Sequence, residues 1–99
     1  MFILELSYTA TLDRIDVELA DHIAWVRSHI ESGTFLVAGR KVPREGGFIL
    51  AVGDDRAEIE ALAATDPFLL AGLAEYRVSE FVATTTAPAL DGFRQQLPA

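Results

Sequence analysis

Ala64-Thr65-Asp66-Pro67-Phe68-Leu69-Leu70-Ala71-Gly72-Leu73 is the stretch on which the fold turns. A residue before proline is pushed out of the α region, so a helix arriving from upstream ends near Thr65. Asp66 is then extended or turn-like, and Leu69–Leu73 have the composition for one further helical turn. Asp66 is an odd carboxylate, set between a helix end and the large apolar residues Pro67, Phe68, Leu69 and Leu70. Taken alone it reads as a capping or turn residue, since Asp-Pro is a common turn signal.

Working outward, Glu75–Ala83 reads as the last strand, with Tyr76 and Val78 on one side and Arg77, Ser79 and Phe81 on the other. Upstream, Ile59, Leu62 and Ala63 form the stripe of a short helix, and Asp55 with Glu58 matches a capping box. Phe48–Val52 is a continuous apolar run, expected as a strand buried on both faces. Gly39–Gly47 reads as a long cationic turn, and Thr34–Gly39 as the strand before it. From Asp13, a fair N-cap, to Ser32 the period is helical: Ile15, Leu19, Ile23, Val26 and Ile30 make one stripe, and Gly33 ends it. Residues 2–9 alternate with period two, placing Phe2, Leu4, Leu6 and Tyr8 on one face of a first strand.

The order is β-α-β-β-α-β. That is the ferredoxin-like arrangement, an α+β fold with a four-stranded antiparallel sheet and two helices on one face. Residues 1–99 make one domain, with a core over about 1–86 and a weakly helical tail over 87–99. The other face of the sheet is left apolar, an unusual state for a monomer. A second copy covering it, sheet against sheet, is the expected solution. The alternative is that the tail folds under and covers it alone.

Composition narrows the classes. Eight Lys and Arg against 15 Asp and Glu give a net charge of −7, which argues against nucleic acid. There is no Cys, so disulfides and thiolate chemistry are excluded. No apolar run approaches a membrane span and nothing resembles a signal peptide, so a cytoplasmic location is expected. The 51% hydrophobic content fits either uncovered apolar surface or an Ala-rich core.

His22-x-x-Trp25 on the first helix, Gly46-Gly47 at the end of the turn, and Asp66-Pro67-Phe68 leading to Glu75-Tyr76 together resemble the YCII-related (YciI-like) family. The resemblance spans roughly residues 1–90. It implies a dimeric α+β barrel and a cavity holding a His-Asp pair, which maps onto His22 and Asp66. One branch of the family is similar to dehydrochlorinases of chlorinated aromatic breakdown products. Where a full match carries Gly-Pro after the second strand, this chain has Gly39-Arg40.

An imidazole held by a carboxylate keeps one tautomer and can move a proton near neutral pH. His22 and Asp66 are therefore the candidate catalytic pair of a cofactor-independent, lyase- or hydrolase-type enzyme. The alternative is a non-catalytic ligand-binding or dimerisation module. Tyr8 could donate to a developing oxyanion. Arg40, Lys41 and Arg44 form the one cationic cluster, fit either for a small anion or for a solvated loop. Tyr8, Trp25, Arg40 and Lys41 complete the candidate set as substrate-binding residues, although Trp25 also suits a core. Tyr76 reads as packing. His29 lies two turns from His22, ~10 Å along the helix, too far to share one ion. No metal and no cofactor are expected.

Overall fold

Phe-Ile-Leu-Glu-Leu-Ser-Tyr forms the inner strand around which the sheet is built. In the computed structural model, which describes residues 1–98, this strand β1 spans Phe2–Tyr8. Ala99, the end of the expected tail, lies outside those residues. Then follow α1 (Leu12–Glu31), β2 (Phe35–Arg40), β3 (Gly46–Ala51), α2 (Arg56–Ala63), α3 (Pro67–Leu70), β4 (Ala74–Glu80) and a 3₁₀ turn at Pro88–Phe93. The sheet order is β2-β3-β1-β4, every neighbouring pair antiparallel. This is the ferredoxin-like α+β fold.

The alternation of β1 sorts its residues as expected. Phe2, Leu4 and Leu6 are buried on the helix-bearing face, where Ile49 and Ala51 of β3 join them. Ile3, Glu5 and Ser7 point the other way, in register with Leu50, Phe48 and Gly46.

Several boundaries differ from expectation, each for a local reason. Helix α1 starts one residue before Asp13, with Thr11 at the N-cap, and Asp13 lies in the first turn, where an acid favours the helix dipole. The long turn shrinks to Lys41–Glu45, because Gly46 and Gly47 belong to β3. A Cβ on Gly46 would lie 1.8 Å from the Leu6 carbonyl oxygen, and one on Gly47 2.7 Å from that of Gly39. These glycines let three strands close up. The additional helical turn begins at Pro67 rather than Leu69, since Asp66 caps it through the Phe68 N–H. Asp55 caps α2 by accepting from Ala57 and Glu58. Gly33 follows α1 with φ 83°, in the left-handed region expected of a helix stop. Strand β4 ends at Glu80, short of Ala83.

Strand β3 is not buried on both faces: Ile49 is, but Phe48 remains 47% exposed. The tail does not cover that face. Its Gln95 side chain accepts from the Ala83 N–H at 2.9 Å, holding it beyond the end of β4, while Ile3, Val37 and Phe48 stay exposed.

Candidate functional site

Asp66 is fully buried, and it is the one buried charged or polar residue among those described. Its carboxylate has three donors. The Phe68 N–H reaches Oδ1 at 2.8 Å, the Tyr76 hydroxyl reaches Oδ2 at 2.6 Å, and His22 Nδ1 lies 2.9 Å from both oxygens. The partners come from three elements: His22 from α1, Phe68 from the turn Asp66 caps, and Tyr76 from β4. His22 and Asp66 are 44 positions apart in sequence.

A carboxylate only accepts hydrogen bonds, so Nδ1 carries the proton and the neutral ring keeps its lone pair on Nε2. Nε2 has no hydrogen-bond partner among the described residues. The ring is stacked on Phe68, centroids 4.2 Å apart with planes 12° from parallel, and is 15% exposed as a side chain. Packing and hydrogen bond together fix its orientation. Burial pushes the Tyr76 phenol well above its ordinary value, and the Asp66 charge and hydrogen bond add to this. Tyr76 therefore stays a donor, and Asp66 keeps its third partner.

His22 lines a cavity of about 360 Å³ between α1 and the β2–β3 side of the sheet. Its apolar wall includes Leu6, Leu19, Ile23 and Ile49; Tyr8, Tyr76, Arg27 and Arg40 supply the other polar side chains. The volume falls at the lower end of the range for small-molecule sites. Tyr8 and Arg40 thus share the cavity with His22.

Lys41 and Trp25 are placed elsewhere. Lys41 lies on the opposite face of the sheet, 3.1 Å from Glu5 Oε2 and 3.3 Å from Ser7 Oγ, with Phe48 beneath it. Lys41 follows the end of β2 but its N–H still pairs with the Gly46 carbonyl, so the alternation runs on by one residue and Arg40 and Lys41 face opposite sides. Trp25 donates through Nε1 to Thr65 Oγ1 at 2.9 Å and packs edge-on against Phe35 and His29. Arg44 of the same loop pairs with Asp16 on α1 and lowers its carboxyl below the usual range, chiefly by the hydrogen bond.

Two cavity residues escaped the sequence reading. Tyr76 packs against the core as expected, but its pairing with Leu6 across β1 also brings its hydroxyl to Asp66, a role its sequence position did not show. Arg27 carried one usable signal: it follows Ile23 by four positions on the cavity side of α1. Among the described residues, no three His, Asp or Glu gather as a metal site, and no helix is long and apolar enough to cross a membrane.

Fold and site together define a class: a small ferredoxin-like domain with a buried carboxylate behind a histidine that lines an apolar cavity. The chain belongs to the YCII-related family, whose model, the YCII-related domain, matches residues 1–82. Its fold is similar to that of the 5-chloro-2-hydroxyhydroquinone dehydrochlorinase from Burkholderia phenoliruptrix, solved in complex with 2,5-dihydroxybenzoquinone. The TM-score is 0.68 at 19% identity, covering 82% of this chain and 93% of that one. No curated protein matches the chain.

Proposed function

We propose that this protein is a cofactor-independent acid–base catalyst for a small molecule, with His22 as the proton carrier and Asp66 as the group that orients it. The observation that carries this reading is the bond from His22 Nδ1 to a fully buried carboxylate, with Nε2 left free on a ring that lines the cavity. In the proposed step, Nε2 takes a proton from a carbon beside a carbonyl, as in a keto tautomer of a phenol, with the leaving group on the adjacent tetrahedral carbon. The electron pair left behind forms a new π bond, and the leaving group departs with its own bonding pair. The sum is loss of HX, and no oxidant or reductant is needed. Asp66 stabilises the imidazolium formed on the way. Tyr8 is the proposed donor to oxygen that gains charge. The name of the dehydrochlorinase describes an elimination of this kind, which supports the lyase-type reading over a hydrolase.

The test is a turnover screen of halogenated phenols, hydroquinones and lactones, repeated with His22→Gln. A rate loss of roughly 10²–10⁴-fold is expected for a lost general base. Turnover unchanged in His22→Gln would remove His22 from the chemistry. A second reading, a ligand-binding or dimerisation module, has its own support: Asp66 ties α1, the Pro67 turn and β4 together and so has a structural use. Saturable binding without turnover in the wild type would favour it.

The same proposal includes a homodimer. Ile3, Val37 and Phe48 leave an apolar area on the sheet face that no described element covers, and a second copy is the partner with a matching surface.

A further inference from the structure

We infer that the cavity selects a small organic anion, a single-ring carboxylate or a group of similar charge, and that Arg27 and Arg40 read the charge. The inference rests on the cavity being a ligand site, but not on His22 being a catalyst. In a chain with 15 Asp and Glu, none of these lines the cavity. Two arginines do, and neither has a salt-bridge partner among the described residues. Asp16 lies close enough to Arg40 to feel its charge, and Asp16 is already held by Arg44.

An acidic protein that leaves two cations unpaired beside its main apolar cavity concentrates positive potential there, and low-dielectric walls focus it. The two guanidinium groups come from opposite walls, Arg27 from α1 and Arg40 from the end of the edge strand β2. Both residues are exposed, so they stand at the rim rather than in the depth of the site. Guanidinium grips carboxylate by paired N–H donors, which gives direction as well as charge. Arg27 follows His22 by five residues, roughly 7.5 Å of helix rise. A one-ring acid with its carboxylate at the rim then lays its ring against Ile23 and Ile49 and brings its far end toward the imidazole.

The test uses probes rather than a substrate: benzoate, phenylacetate and salicylate, each against its amide. Binding is followed by backbone amide shifts of Gly39, Gly46 and Gly47 at pH 8 and low salt. At least one acid is expected to bind tenfold or more tightly than its amide, and Arg27→Gln with Arg40→Gln to bring the pair within about twofold. Both arginines are exposed, so the amide spectrum of the variant also verifies that the fold is kept. His22→Gln is expected to retain the acid preference while losing any turnover. No acid outbinding its amide would overturn the inference, as would a preference that survives in the double variant. A charge preference without turnover in any assay sinks the catalytic proposal and leaves this one standing.

Discussion

At the scale of the residue, one buried carboxylate does two jobs. Asp66 caps a short helix through Oδ1 and holds His22 and Tyr76 with the same two oxygens. Replacing it by Ala strands one buried and two part-buried donors, and urea denaturation is expected to show a loss on the order of 3 kcal/mol. The Tyr76 phenol offers a pH test. Its folded pKa lies above the ordinary 10.0, so folding favours the protonated form. Its contribution is fully present below pH 10 and is lost as rising pH ionises the unfolded tyrosine first. Wild-type stability is therefore expected to fall faster than that of Tyr76→Phe above pH 10, measured by urea melts across pH 8 to 11. Parallel curves would mean that Tyr76 is not held protonated. The sequence pointed to Asp66 because a charge among apolar neighbours is conspicuous; Tyr76 was hidden because an aromatic on a strand looks like core.

At the scale of the element, local rules predicted kinds better than ends. The period-two pattern of Phe2–Tyr8 and the helical stripe of α1 were legible, since each follows from which side faces the core. The β2–β3 connection was not. Gly46-Gly47 reads as turn residues from composition, yet both sit in the ladder, where the carbonyls of Leu6 and Gly39 leave no room for a side chain. Only the neighbouring strands supply that information. Gly46→Ala is expected to cost about 3 kcal/mol or more, from overpacking and from an unfavourable φ. Gly39→Ala, with nothing within 4 Å of the added carbon, is expected to stay within about 0.5 kcal/mol. Thermal melts of the two variants decide; equal losses would mean the strands can separate to admit a methyl group. Lys41 followed the same logic. Its charge marked it as a substrate-binding candidate, but the alternation running on from β2 sent it to the far face, beside Glu5.

At the scale of the whole molecule, the sheet divides the protein into a face that holds the cavity and a face left open. The second carries Ile3, Val37 and Phe48 beside the Lys41–Glu5 pair. Val37 is 59% exposed and does not line the His22 cavity, so Val37→Glu tests the dimer with little risk to the fold. Sedimentation velocity is expected to give a dimer for the wild type and a monomer for the variant; a monomeric wild type at high protein concentration would remove the proposal. The cavity, too, is built from unlike halves. Its histidine is anchored to a carboxylate inside the core, whereas Ala38, Gly39 and Arg40 belong to an edge strand open to solvent. Substitutions at its exposed positions Ala38 and Arg40 cost the fold little, while those at the anchor cost it much. Over generations, a lineage can reshape the rim of the cavity at one margin while inheriting the His22–Asp66 anchor intact.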